Sequence, residues 1–203
     1  MKRKKLLFSL IPILLLLGIG IFLFLKKAEP APEDVCTATG ESALLSLKDI
    51  CGESRVEKLG NTKEARGNEH PEQYLSKSST YILDEEAIEV YVETYLTAAE
   101  STAQAKNLTL QALIVEEWGY ESIDSYREEA SQLVLDFIKQ RLAVYTAAKE
   151  LNLSITEKEY DSKLNVYALS FGYSSAEEFT YACTPASIAN EMLYDKVIST
   201  LQE

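Results

Sequence analysis

The sequence predicts an all-α protein: an N-terminal transmembrane helix, an irregular linker, then about five helices with long arms. Three observations carry this. Residues 6–25, LLFSLIPILLLLGIGIFLFL, hold no charge. From Asp84 to the end, only Gly119, Gly172 and Pro185 interrupt 120 residues. Within that stretch the apolar side chains recur at i, i+3, i+4 and i+7, the spacing of one helix face.

The first element is the apolar run. Its twenty residues, at 1.5 Å each, span about 30 Å, the thickness of a bilayer's hydrocarbon core. Lys2, Arg3, Lys4 and Lys5 precede it and Lys26 and Lys27 follow, so the excess of positive charge holds the amino terminus in the cytoplasm. A cleaved signal peptide is the competing reading. Its apolar core would run about 7–15 residues and end at a small-x-small site; this run is longer and continues into Lys-Lys-Ala-Glu-Pro-Ala-Pro. Glu33-Asp34-Val35 before Cys36 also lacks the small apolar residues of a lipoprotein signal. Residues 1–27 are therefore expected to be a single-pass membrane anchor that places the rest of the chain outside the cytoplasm, with the lipid bilayer as partner of residues 6–25.

Residues 28–34, AEPAPED, read as a stiff exposed spacer. Residues 35–80 are weakly patterned and punctuated by Gly40, Gly52, Gly60, Gly67 and Pro71. Only Ala43 to Ile50 is apolar enough for a short helix, so 28–80 is expected to be a partly irregular linker region and 81–203 the helical domain. Cys36 and Cys51 enclose a short loop whose closure as a disulfide would contribute about 3 kcal/mol in an oxidising compartment; in an anaerobe they would be thiols. Three cysteines do not make a disulfide framework, and Cys183 reads as a small core residue.

Within 81–203, Asp84 is placed to cap a helix whose face is Ile88, Tyr91, Val92, Tyr95, Leu96 and Ala99. A short helix is expected from about Thr109 to Trp118. A long one follows from Ser122 to about Leu151, with the stripe Tyr126, Ala130, Leu133, Phe137, Val144 or Tyr145, and Ala148, and with Leu135 and Leu142 on another face. Thr156-Glu157-Lys158-Glu159 is a capping box that starts the next helix after Leu153-Ser154-Ile155. Its stripe is Tyr160, Leu164, Tyr167, Ala168 and Phe171. The last helix opens with Thr184 as cap and Pro185 at its first position, burying Ile188, Met192, Leu193, Val197 and Leu201. WGYESIDSY (118–126) and FGYSSAEEF (171–179) share one pattern: glycine ends a helix in the left-handed region and serine caps the next.

These elements, in this order, resemble the carboxy-terminal chaperone domain of trigger factor and the helical chaperone part of SurA/PrsA-type extracytoplasmic foldases. The resemblance covers residues 81–203. It rests on AKNLTLQALI (105–114), WGYESIDSY, the run EEASQLVLDFIKQRLAVYTAAKELNLSITEKEYDSKL (128–164) and FGYSSAEEF, followed by the helix carrying Met192-Leu193-Tyr194-Asp195-Lys196-Val197. Asn107 stands where the family often has glycine, and Asn tolerates the same left-handed backbone. Trigger factor's ribosome-binding Gly-Phe-Arg-x-Gly signature is absent from this sequence. There is no room for its FKBP-like domain, and a single histidine does not suit a parvulin domain.

Such a resemblance implies an ATP-independent holdase for unfolded or newly translocated polypeptides, assisting folding and transport, with no cofactor and no enzymatic activity of its own. Residues off the main stripes would contact clients: Leu135, Leu142, Tyr173, Tyr181, Met192 and Tyr194, since Tyr and Met tolerate partial exposure and varied contacts. A helical scaffold or adaptor for one dedicated envelope partner is the alternative from another class; an isomerase relic is a third.

Composition narrows the partners. The chain carries 20 basic and 32 acidic residues; setting aside the six bases flanking the apolar run leaves 14 against 32, a net charge of −18. Phosphates would be repelled, so nucleic acid is excluded as a partner. His70 is the only histidine and has no ligand cluster at metal spacing. The acid pairs Glu85-Glu86, Glu116-Glu117, Glu128-Glu129 and Glu177-Glu178 fall at helix starts or on polar faces, where acids are expected, rather than in a convergent catalytic pair.

Overall fold

The computed structural model describes residues 36–203, in which helix dominates. The expected anchor 6–25, the basic residues around it and the expected spacer 28–34 lie outside the described residues. Among those described, no helix is long and apolar enough to cross a membrane. Nine α-helices are described: α1 (Gly40–Ser46), α2 (Lys48–Cys51), α3 (Thr62–Ala65), α4 (Pro71–Ser78), α5 (Glu85–Ala105), α6 (Ile123–Glu150), α7 (Glu157–Ser170), α8 (Ala176–Ala182) and α9 (Pro185–Gln202). A π-helical segment, Ala112–Glu117, lies between α5 and α6. Four short strands, β1 (Ala38–Thr39), β2 (Arg55–Lys58), β3 (Thr80–Ile82) and β4 (Ser154–Ile155), form two antiparallel pairs.

The stretch 36–80, expected to be mostly irregular, is therefore folded, and the protein is not purely α. Ala38 pairs with Ile155 and Thr39 with Ser154; Arg55 pairs with Ile82 and Val56 with Tyr81. The short apolar link Leu153-Ser154-Ile155 is thus a strand, and its partner lies far back in the chain. Each helix of 36–80 is too short to show a helical period, but each buries one or two apolar residues: Ala43, Ile50, Cys51, Ala65 and Leu75. Leu47, between α1 and α2, is also fully buried.

The chain divides into two compact units. In one, Glu85–Phe137, α5 buries Ile88, Val92, Tyr95, Leu96, Ala99 and Ala103, the expected face with Tyr91 moved to its edge. Tyr91 meets Tyr95 edge-on at 5.8 Å. Asn107 takes the left-handed conformation (φ 56°), and the Leu108 N–H donates back to the Ala103 carbonyl at 2.8 Å, closing the helix end. The expected short α-helix is instead π-helical: the Trp118 N–H reaches the Leu113 carbonyl, five residues back. Leu113 and Ile114 are fully buried there. Trp118 and Tyr120 both pack on Tyr126, at 5.6 and 5.2 Å.

The other unit combines residues 36–84 with Ile138–Glu203. Gly40, the first residue of α1, lies so close to α6 that a Cβ there would sit 2.5 Å from the Lys149 nitrogen and 2.6 Å from the Tyr145 oxygen. Thr156 and Glu159 form the expected capping box, with Thr156 Oγ1 accepting from the Glu159 N–H at 3.3 Å and the Thr156 N–H donating to Glu159 Oε2 at 3.0 Å. Thr184 caps α9, and Ile188, Met192, Leu193, Val197 and Leu201 are all buried. Each such side chain contributes about 1.5–3 kcal/mol of burial, so this helix anchors the unit's core.

The buried residues of α6 correct its expected stripe. Tyr126, Ala130, Val134, Ile138, Leu142, Tyr145 and Ala148 are fully or almost fully buried, a run at i, i+4 and i+3. Leu133 and Phe137, expected inside, are only half-buried.

Candidate functional site

The α7–α8 hairpin is built by two local devices. Gly172, at φ 82°, takes the backbone that L side chains rarely adopt, and the Tyr173 N–H donates to the Ala168 carbonyl at 2.9 Å. Ser175 then caps α8, its side chain accepting from the Glu178 N–H at 3.1 Å. Inside the hairpin an aromatic stack runs from Tyr167 through Phe171 to Phe179, with centroids 6.4 and 5.5 Å apart; Tyr173 adds a further contact to Phe179 at 5.0 Å. Phe179 is buried. The Tyr167 hydroxyl holds Asp195 at 2.5 Å, tying the hairpin to α9; burial, then that carboxylate, raises its pKa.

What this hairpin leaves outside is apolar. Val166 is 67% exposed, Leu169 66%, Phe171 40% and Tyr181 94%. Four of the seven large hydrophobic side chains exposed among the described residues thus fall between Val166 and Tyr181. Val166 and Leu169, three apart on one helix, share a face, and Phe171 exposes the edge of the aromatic stack.

The six residues expected to contact clients differ widely in exposure. Tyr181 is the most exposed of them. Tyr173 is half-buried within the hairpin and Leu135 half-buried on α6. Leu142 and Met192, expected at the client surface, are instead core residues, 1% and 0% exposed, closed off by the packing around them. Leu142 is one of the i+4 positions of the α6 stripe, which runs through Val134 and Ile138 rather than Leu133 and Phe137. Tyr194 stacks on the Arg141 guanidinium at 4.2 Å and meets Tyr145 edge-on at 6.2 Å. Val166, Leu169 and Phe171 were missed. The available signal was that Val166 and Leu169 fall outside the α7 stripe of Tyr160, Leu164, Tyr167 and Ala168. Phe171, assigned to that stripe, sits at its exposed end.

A second feature escaped the sequence reading because both members are charged. Arg141 and Glu191 are buried and joined by two hydrogen bonds of 2.6 and 2.9 Å. Arg141 also donates to the Tyr145 hydroxyl at 2.9 Å. Asn190, also buried, donates to Ser46 Oγ at 2.8 Å, so the polar groups of α6, α9 and α1 are joined in the interior.

No protein-family model, no curated protein and no solved structure matches this chain. Among the described residues, no group of three or more His, Cys, Asp or Glu side chains is arranged to hold a metal ion. His70 is exposed before α4, with its ring 3.5 Å from Glu72. The pairs Glu85-Glu86, Glu116-Glu117 and Glu177-Glu178 are exposed to solvent, and of Glu128-Glu129 only the second is half-buried. Cys36 and Cys51, whose pairing the sequence leaves open to the redox state of the compartment, are not bonded to each other in this structure. Cys51 Sγ instead donates to the Leu47 carbonyl at 3.2 Å within its own helical turn, and burial pushes its thiol pKa up to about 11. The α7–α8 hairpin carries the exposed apolar side chains Val166, Leu169, Phe171 and Tyr181.

Proposed function

We propose that this protein is a membrane-anchored, extracytoplasmic, ATP-independent chaperone of the trigger-factor-C/SurA-like type, which holds unfolded or newly translocated polypeptides through the α7–α8 hairpin. The observation that carries this reading is the set of exposed apolar side chains Val166, Leu169, Phe171 and Tyr181 on one short hairpin. Large apolar side chains left exposed together on one element are candidates for a binding surface. Flat, varied side chains of this kind suit a client of no fixed sequence, because contact comes from burial rather than from directed polar groups. The sequence resemblance and the uncharged run at 6–25 point the same way. The surrounding acid, net −18 beyond the flanking bases, would keep a loaded complex soluble.

The test uses the full-length chain in lipid nanodiscs. A denatured, aggregation-prone protein is diluted into it and light scattering is followed without nucleotide. The expected result is suppression near stoichiometric amounts, lost in a Val166→Asp/Leu169→Asp/Tyr181→Asp variant of unchanged helicity. Unaltered scattering with several clients would sink the holdase reading, and a single partner recovered by crosslinking in membranes would then support the adaptor alternative.

A further inference from the structure

α7 and α8 form an arm whose two ends are fixed and whose length is thinly covered. Ile155 and Cys183, on either side of it, are buried. One extended residue, Thr156 (φ −90°, ψ 156°), joins β4 to α7. Cys183 (φ −128°, ψ 142°) and Thr184 (φ −69°, ψ 146°), also extended, join α8 to α9. Between these joints the two helices bury only Tyr160, Ala168 and Phe179, and Tyr160 lies close to the first joint. Phe179 is packed by rings of the arm itself, Phe171 at 5.5 Å and Tyr173 at 5.0 Å. By contrast, α9 buries nine of its residues. Local opening comes first where buried contacts are few, so the arm is the part that opens while α9 stays in place.

Two neighbouring side chains of α9 hold the arm. Lys196 Nζ donates to Glu159 Oε1 at 2.5 Å and to the Ser154 carbonyl at 2.9 Å, close to the joint at Thr156. Asp195 Oδ2 accepts from the Tyr167 hydroxyl at 2.5 Å, about two turns further along α7. A bond far from a pivot resists rotation about it more than a bond beside it. Tyr167 is also the first ring of the stack that reaches Phe171, whose edge is exposed. Asp195 is exposed and Tyr167 half-buried, so water can take up both groups when their bond breaks, and its net worth is small.

We propose that the α7–α8 arm opens from α9 as one unit, with the Tyr167–Asp195 hydrogen bond as its latch, and that a client is held by the open form. Opening frees the Tyr167 ring to join the exposed edge at Phe171 and so lengthens the apolar surface offered. A ligand that binds the open form better raises its population, and a weaker latch lowers the cost of binding. The second half of this inference rests on the client-holding reading above; the opening itself does not.

Hydrogen–deuterium exchange read by mass spectrometry would follow the full-length chain in lipid nanodiscs. Tyr167→Phe keeps the ring and removes the donor. The expected result is amide exchange across 157–182 faster by about 2–10-fold, the equivalent of one net hydrogen bond, with peptides of 185–203 unchanged. Asp195→Ala should give the same rise, the two changes together no further rise, and Asp195→Asn, which keeps an acceptor, a smaller one. Unchanged exchange in both single variants, or an equal rise in the arm and in α9, would overturn the latch. With a denatured client, Tyr167→Phe should suppress aggregation at a several-fold lower concentration than the parent. A parent that holds clients and a variant that holds them no better would overturn the client half. A parent that holds no client refutes the client-holding reading and that half with it, while the exchange data decide the latch by themselves.

Discussion

Arg141 and Glu191 face each other across α6 and α9 in a two-pronged ion pair of 2.6 and 2.9 Å, with both side chains about nine-tenths buried. The Tyr194 ring covers the guanidinium at 4.2 Å. Two planar groups joined by parallel hydrogen bonds fix the rotation of one helix against the other more tightly than apolar contacts do. Removing either partner leaves a charge without its counter-charge in the interior. Arg141→Met or Glu191→Leu alone is expected to cost about 3–5 kcal/mol, whereas Arg141→Met/Glu191→Leu together should be near neutral or stabilising. Urea unfolding of the four proteins, closed as a double-mutant cycle, measures this; equal losses in the single and double variants would contradict it.

Glu159 does two things at once. It closes the capping box with Thr156 and binds Lys196 Nζ at 2.5 Å. The Lys196 hydrogen bond, then the Thr156 N–H, lowers its pKa from 4.5 to about 2. A carboxylate lowered on folding stabilises the fold fully above its unfolded pKa, and that stabilisation fades as pH falls from about 4.5 toward 2. The pair is partly open to water, so screening keeps its worth to about 1 kcal/mol or less. Glu159→Gln keeps a capping side chain and removes the charge. Its deficit against the parent should be constant near neutral pH and vanish by about pH 2; a deficit independent of pH would show that the charge contributes nothing.

Gly40 and Gly172 are needed for different reasons, and alanine separates them. At Gly40 a Cβ would meet backbone atoms of α6 at 2.5 and 2.6 Å, and neither atom can swing aside. Gly40→Ala should cost more than about 2 kcal/mol by forcing the helices apart. At Gly172 nothing lies within 4 Å of the added carbon and only the φ of 82° resists it, so Gly172→Ala should cost about 1–2 kcal/mol. Chemical denaturation ranks the two; the reverse order would refute the close approach of α1 to α6.

The exposed hairpin should be separable from stability. Val166→Asp and Leu169→Asp alter solvent-facing positions and should change folding free energy by no more than about 0.5 kcal/mol. Leu142→Asp and Met192→Asp place a charge among fully buried side chains and should abolish cooperative unfolding. Thermal melts followed by circular dichroism distinguish the two classes. A hairpin variant that melts early would mean that Val166 and Leu169 hold structure rather than a binding surface.

Local chemistry was the legible part of this sequence. Thr156 with Glu159, Thr184 with Pro185, Gly172 with Ser175, and Asn107 in the left-handed region all act within a few residues of themselves, and the structure places each as expected. The faces of α5 and α9 were readable because the apolar spacing persisted over several turns. The pairing of β1 with β4 was not, because two-residue strands have no period and their register is set by a partner more than a hundred positions away. In α6, burial of nearly every residue from Arg141 to Ala148 removes the polar face that would have fixed the phase, so the stripe was drawn one residue off. The pair Arg141–Glu191 was invisible because charged residues are assigned outward by default.

The pairing of Ala38 with Ile155, together with the Gly67 N–H held by the Leu201 carbonyl at 2.8 Å, governs the order in which the molecule can be assembled. A polypeptide made from its amino end exposes Ala65 and Leu75 long before α9, which packs on their helices, exists. The leading segment of this unit, residues 36–84, must wait for the trailing helix. Until then it is itself an unfinished chain with apolar groups in water, and its folding speed is set by closing one long loop rather than by forming any helix.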